Sequence, residues 1–244
     1  MLTRLTPRFV EKVWGSTHLA PWYPDRAEKI GEVWFESDPR PPLLIKFLFT
    51  TEALSVQVHP EGKTEMWHIL AAEPGAKIAA GFREPITAER LRESALSGEI
   101  EKLLEWHEAR PGDTFFIPVG TVHAIGAGLT LCEIQQHSDT TYRLFDYGRP
   151  RELHLDEGIR VSHLGPHTAR QNARDRVLVS CPFFTTEKIR LDGRMRVEAG
   201  RMIVVLDGDL TIGGQATRAG EAWHVEPGTG SIDMAGQGTV LLTY

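Results

Sequence analysis

Apolar residues recur in this chain mainly with a period of two, the spacing of half-buried strands. Glu32–Glu36 alternates polar and apolar residues, and Leu43–Phe49 reads as a buried strand after the Pro39, Pro41 and Pro42 loop. In Leu54–His59 the residues Leu54, Val56 and Val58 face one way, and Ser55, Gln57 and His59 face the other. A strand with one apolar face and one face of donor and ligand groups suits the wall of a β-barrel, whose interior takes alternate residues. Further strands are expected at Met66–Leu70, Ala76–Ala80, Thr114–Ile117, Gly120–Ile125 and Leu129–Gln136.

The period lengthens only between Pro85 and Trp106. There Leu91, Ala95, Leu96, Ile100, Leu103 and Leu104 recur near 3.6, Thr87 can cap, and Gly98 breaks the run into two short helices. Arg90 stands where a capping box would carry Glu or Gln. This leucine stripe reads as packing rather than as a partner site. The polar, aperiodic stretch Ser162–Arg176 supplies a linker. Beyond it Phe183–Leu191, Arg194–Glu198, Met202–Leu206, Leu210–Ile212, Glu221–Val225 and Thr239–Thr243 predict a smaller all-β unit. The expected layout is a first domain over 1–165 with a helical insert at about 87–107, a linker at 166–176 and a second domain over 177–244.

Composition narrows the class. Of 244 residues, 41% are hydrophobic and 25% charged, as in ordinary globular proteins, and 23 Gly with 15 Pro suit many short strands joined by turns. A net charge of −6 argues against nucleic acid as the main partner. Cys132 and Cys181 are too few for a disulfide framework and are expected to be reduced and buried. The N-terminus lacks a signal-peptide core, and Lys46 and Glu52 interrupt the most apolar stretch, so the expectation is a cytoplasmic protein without a membrane partner.

Two clusters carry chemistry. Gln57-Val-His59-Pro60 puts two donors on one strand face, and a turn through Glu61-Gly62 can bring Glu65 back beside them. The second cluster, Gly112-Asp113 followed by Ile117-Pro-Val-Gly-Thr-Val-His123, supplies a histidine from another strand. Gln57, His59, Glu65 and His123 would form a four-ligand nitrogen and oxygen site suited to zinc. With one anionic ligand, such an ion keeps positive charge and is electrophilic toward a substrate oxygen.

Gly112-Asp113 with Pro118-x-Gly120-x-x-His123 resembles the second metal motif of the cupin superfamily. The fuller set resembles type I mannose-6-phosphate isomerases in their compact bacterial form. It comprises Trp14-Gly15, Gly31–Trp34, Leu43–Lys46, Ala53–Pro60, Lys63–Glu65, Gly120–Ala124, Glu133–Asp139 and Thr141–Arg149. The resemblance runs from about Trp14 to His154. It implies a mainly β fold: a cupin (double-stranded β-helix, or jelly-roll) barrel with a small helical insert and a smaller C-terminal cupin-like unit.

The resemblance also implies one zinc ion per chain on Gln57, His59, Glu65 and His123. The activity it implies is interconversion of mannose 6-phosphate and fructose 6-phosphate through an enediol. Arg143 would be an active-site cation, and Trp14, Lys46, Ser55, Lys63 and Glu133 would line the pocket. Permanently charged Arg143 suits stabilisation of oxyanion charge. Lys63 can hold an oxyanion or move protons if burial lowers its pKa, or it is a solvated turn lysine. Glu133 is a base or orienter, or a structural carboxylate paired with Arg143. Lys46 and Ser55 are the candidates for the phosphate.

His68, His107, His137, His154, His163 and His167 lack ligand spacing and read as surface or hydrogen-bonded residues. Trp22 and Tyr23 are expected at the barrel mouth or in a loop. Gly220–Ser231 echoes the second cupin motif with Ser231 in the histidine position, so the C-terminal unit reads as a degenerate half without metal. Monomer and homodimer both remain open. The rival readings are a metal-keeping, sugar-phosphate-binding or regulatory cupin without turnover, and a cupin oxygenase or isomerase using another metal or sugar.

Overall fold

The period-two segments become strands, and pairing distributes them among three antiparallel sheets. The computed structural model describes residues 1–171 and 176–244; residues 172–175 of the expected linker lie outside the described residues. A seven-stranded sheet runs, edge to edge, Arg170–Gln171, Thr114–Ile117, Glu65–Ala72, Leu129–Gln136, Leu43–Thr50, Ile30–Glu36 and Thr6–Ser16. A five-stranded sheet runs Tyr142–Phe145, Val56–Val58, His123–Ile125, Lys77–Phe82 and Leu104–Glu108. These two sheets are hydrogen-bonded separately and face each other across a shared apolar interior, where Leu48, Trp67 and Ile69 of one meet Ile78, Ala80 and Ile125 of the other. The fold is mainly β, and its first part is a two-sheet jelly roll rather than a closed ring of strands.

Leu43–Thr50 shows why the strands sit as they do. It is buried at every position, as a central strand covered on both faces must be. Ile45, Phe47 and Phe49 point outward into a second core made with Val204, Leu206, Ala222 and Leu241 of the C-terminal sheet. Phe47 packs edge-on against Trp22 and Phe35 there, a geometry that adds to area burial. Trp22 and Tyr23 lie in a loop, but at this seam rather than at a barrel mouth. Trp22 Nε1 donates to the Leu206 carbonyl at 3.1 Å, and Tyr23 Oη donates to that of Gly220 at 2.6 Å. Cys132 is buried in the same core, whereas Cys181 is only half-buried.

The C-terminal strands form one seven-stranded sheet: Leu2–Arg4, Ala222–Val225, Arg201–Ile212, Ile232–Thr243, Thr185–Val197 and Val177–Ser180 in order, with Gln215–Thr217 beside Arg201–Ile212. Three strands are longer than expected, because the polar residues that suggested breaks stay paired with Ile232–Thr243, Asp192 in unbroken register and Asp207 just past a bulge. Leu2–Arg4 pairs with Ala222–Val225, so the first residues of the chain belong to this last sheet. Arg170–Gln171, within the expected linker, pairs with Thr114 and Phe115.

The helical insert is shorter than expected. Thr87 caps Ala88–Ser97 by accepting from Arg90 N at 3.1 Å, and Gly98 ends the helix in a left-handed conformation. Ile100–Leu103 follows, after which Leu104–Glu108 is a strand paired with Lys77–Phe82. Leu91, Ala95 and Ile100 pack on Val56, Val58 and Phe82, covering the outer face of the five-stranded sheet, while Leu96 points to solvent. A further helix, Leu155–Val161, joins this cover. Among the described residues no helix is long and apolar enough to cross a membrane.

Candidate metal centre

Val56–Val58 is a strand of three residues whose valines enter the helix-covered core, and this turns Gln57 and the following His59 toward the facing sheet. His123 is the direct neighbour of Gln57 on the next strand, and Arg143 is its neighbour on the other side. Glu65 comes from the opposite sheet, as the first residue of Glu65–Ala72. The turn between His59 and Glu65 is made possible by Gly62 at φ 87°. Gly120, at φ 78°, joins the two histidine segments: its N–H donates to the His59 carbonyl at 2.9 Å, and a Cβ there would meet the Val161 carbonyl oxygen at 2.8 Å.

The three ionisable residues converge. His59 Nε2 is 3.5 Å from Glu65 Oε2, and His123 Nε2 is 3.8 Å from Glu65 Oε1. Their exposures of 2%, 1% and 1% for His59, Glu65 and His123 remove them from solvent. His59 Nδ1 sits 3.1 Å from the Thr140 carbonyl and His123 Nδ1 sits 2.8 Å from that of Thr121. A carbonyl accepts only, so each Nδ1 carries the proton and each Nε2 turns a lone pair toward Glu65. Gln57 Nε2 is 3.3 Å from His123 Nε2, and its Oε1 accepts from Ser55 Oγ at 3.1 Å.

The electrostatics favour a cation. Burial lowers the His59 pKa to about 4, against the pull of Glu65, and lowers that of His123 as well. Burial alone would raise the Glu65 carboxyl, but His59 and Lys63 hold it well below the ordinary carboxylate range. At neutral pH the cluster therefore offers two neutral imidazoles and one carboxylate, a borderline donor set. His59 Nε2 and Glu65 Oε2 are buried without a hydrogen-bond partner, which ordinarily costs about 1–3 kcal/mol each. Tetrahedral zinc ligands with bonds of ~2.1 Å stand roughly 3.4 Å apart, close to the separations here. These residues fit a divalent metal.

The remaining sequence candidates divide. Lys63 is 5% exposed, so it is not a solvated turn lysine; it donates to Thr141 Oγ1 at 3.2 Å, and burial lowers its pKa against the pull of Glu65. Glu133 is paired, but with Lys46 rather than Arg143: Lys46 Nζ donates to Glu133 Oε1 at 2.8 Å and to Gln135 Oε1 at 2.6 Å. The register explains this, since Glu133 and Lys46 are opposed on neighbouring strands. Trp67 Nε1 donates to Glu133 Oε2 at 3.1 Å. Ser55 is engaged with Gln57, and Trp14 lies in the apolar interior cluster with Trp67. Arg143 Nη1 donates to the Glu152 carbonyl at 2.7 Å.

Sequence reasoning missed Gln135 and Trp67. Both were detectable, because Gln135 stands two residues from Glu133 and Trp67 two from Glu65, on the same strand faces. Beside this row, Trp34, Leu44, Arg40, His137 and Ser138 line a cleft of about 420 Å³. His68 is buried and hydrogen-bonded, with Nδ1 at 2.9 Å from Thr114 Oγ1, but it points to the opposite face of its strand, where Lys188 Nζ lies 3.2 Å from its Nε2.

Fold and site together define a mainly β, cupin-type protein with a buried histidine and carboxylate centre able to hold a metal. Comparison with known proteins then specifies the family. The chain is 39% identical to the mannose-6-phosphate isomerase of Streptococcus mutans over 64% of its own length, which spans 57% of that protein. It is 32% identical to the mannose-6-phosphate isomerase ManA of Bacillus subtilis, covering 83% of this chain and 84% of that one. The crystal structure of a Bacillus subtilis mannose 6-phosphate isomerase superimposes with a TM-score of 0.84 at 26% identity, covering 99% of this chain and 98% of the other. No family model matches the chain. The chain belongs to the mannose-6-phosphate isomerase family.

Proposed function

We propose that this protein interconverts mannose 6-phosphate and fructose 6-phosphate through an enediol, with one zinc ion per chain held by Gln57, His59, Glu65 and His123. The observation that carries the reading is the buried convergence of His59, Glu65 and His123, in a chain of this family. Bound there, the metal supplies positive charge to the substrate oxygens on which the reaction builds negative charge.

The chain's own groups do the rest. Arg143, opposite Gln57 on the adjacent strand, is the fixed cation that stabilises the developing oxyanion. Lys63 sits two residues before Glu65 with a lowered pKa, which suits it to hold an oxygen or to carry a proton between O1 and O2. Glu133 accepts from Lys46 and Trp67 at once, and this suits an orienting carboxylate. Lys46 spends two ammonium protons on Glu133 and Gln135 and keeps a third for a substrate oxygen. Trp14 packs beside Trp67 behind this row, and Ser55 is placed across from it, where it donates to Gln57. We place the protein in the cytoplasm, as a monomer or homodimer, and propose the division into 1–165, 166–176 and 177–244, amended in that Leu2–Arg4 belongs to the second unit's sheet and Arg170–Gln171 to the first unit's.

The test is to measure bound metal and assay conversion of mannose 6-phosphate to fructose 6-phosphate before and after chelation. Activity should disappear with the metal and return on adding zinc. A zinc-loaded protein that leaves mannose 6-phosphate unchanged overturns the reading.

A further inference from the structure

Arg143 stands at the root of a loop that folds back on it, and one buried carboxylate holds that loop. Asp146 is 3% exposed. It receives Arg151 in a two-pronged grip, Nε on Oδ2 and Nη2 on Oδ1, both at 2.6 Å, and Arg149 Nε on Oδ1 at 3.1 Å. Bidentate guanidinium–carboxylate pairs fix direction as well as distance. The turn between them has Tyr147 at φ 54° and Gly148 at φ 77°, and it closes through Arg149 N to the Asp146 carbonyl at 3.0 Å. Two successive positive φ values mark a type I′ turn, and a non-glycine residue there costs energy that its surroundings must supply.

The held loop returns to Arg143 at three points. Glu152, next to Arg151, offers its carbonyl to Arg143 Nη1 at 2.7 Å. His154 N donates to the Arg143 carbonyl at 2.8 Å, and Arg143 N donates to His154 Nδ1 at 3.2 Å. Arg149 extends the hold to the other side of the site, with Nη2 donating to the Ala53 carbonyl at 2.8 Å, just ahead of the strand that carries Gln57. Arg149 and Arg151 are two like charges in this loop, a third stands close by at Arg143, and Asp146 is the buried carboxylate that pairs with the first two.

We propose that Asp146 is a positioning residue: through Arg151 and the Glu152 carbonyl it sets the direction of the Arg143 guanidinium. This rests on the isomerase reading, in which Arg143 meets the substrate. Small misplacements of a group that acts on the reacting atoms reduce rate steeply, up to about 100-fold for 1 Å.

A double-variant cycle tests it, using Asp146→Asn, Arg143→Lys and the pair in the metal-loaded full chain with mannose 6-phosphate. Asp146→Asn should lower kcat about 10- to 100-fold with metal content unchanged. In the Arg143→Lys background the same change should cost little, because residues acting through one another are not additive. The same fold loss in both backgrounds, or no loss in either, overturns the proposal. If Asp146→Asn does not fold, Arg151→Lys keeps the charge and loses the two-pronged grip; it should lower kcat in the same background-dependent way, and an unchanged kcat overturns the proposal. Amide hydrogen exchange is read in parallel. Asp146→Asn should speed exchange across residues 143–154 alone, and unaltered exchange there overturns the proposal. An inactive wild-type protein would instead strike the isomerase reading, leaving exchange to decide the loop.

Discussion

His59 Nε2, just past the end of a strand of the five-stranded sheet, and Glu65 Oε2, at the start of a strand of the seven-stranded sheet, face each other at 3.5 Å, both buried and both without a hydrogen-bond partner. A group that binds only the folded chain there stabilises it by about 2.7 kcal/mol at a hundredfold excess over Kd. Zinc should therefore raise the thermal midpoint of the metal-free protein by roughly 5–10 °C. Glu65→Ala should abolish that rise, and scanning calorimetry with and without chelator measures both. A midpoint indifferent to zinc would contradict the donor geometry.

Lys46 and Glu133 form a buried ion pair whose partners are 4% and 5% exposed. Removing one partner strands the other charge, which costs about 3–5 kcal/mol, whereas apolar replacement of both can be nearly neutral. Lys46→Met alone should show this loss in urea unfolding, and Lys46→Met with Glu133→Leu should regain most of it. Singles and double that lose equally would show that the pair is not the relevant unit.

His68 connects the jelly roll to the C-terminal sheet through Lys188. Burial, then the Lys188 charge, lowers its pKa from 6.5 to about 3. The unfolded chain thus takes up a proton that the folded chain refuses. The stability contributed is complete above pH 6.5 and is lost as pH falls toward 3, at up to about 1.4 kcal/mol per pH unit. His68→Gln lacks this titration, so the advantage of wild type over the variant should shrink steadily in urea unfolding from pH 7 to pH 4. A constant difference would refute it.

Gly120 and Gly112 both have positive φ, at 78° and 93°, but only Gly120 has a backbone oxygen where a Cβ would go. Gly112→Ala should cost about 1–2 kcal/mol of backbone strain. Gly120→Ala should cost more, and it should also weaken zinc affinity because it moves the segments that carry His59 and His123. Isothermal titration of the two variants separates strain from displacement; equal zinc affinities would remove the second effect.

Local pattern was enough to place much of this protein. Alternation put Gln57 and His59 on one face, set the limits of Leu129–Gln136, and marked the Thr87 cap and Gly98 stop, because each depends on residues within a turn or a strand. It did not show Thr6–Ser16, an edge strand too exposed for a clear alternation, nor Leu155–Val161. Polar residues interrupt the alternation of the three longest C-terminal strands, so pattern alone gives fragments, and only pairing with neighbouring strands, through a bulge just before Asp207, makes each continuous.

The sequence by itself determined the chemistry within reach: which residues could bind a metal, and that one strand supplies Gln57 and His59 while His123 must arrive from another. The tertiary structure alone decided the partners. Register, not residue type, gave Glu133 to Lys46 instead of Arg143. The carbonyls of Thr140 and Thr121, backbone groups carried by any residue type, set the tautomers of His59 and His123. Leu2–Arg4 joined the last sheet of the chain, more than 200 positions away. These choices are invisible locally because a hydrogen bond or an ion pair depends on distance in space, and only the packed sheets bring those atoms within 3–4 Å.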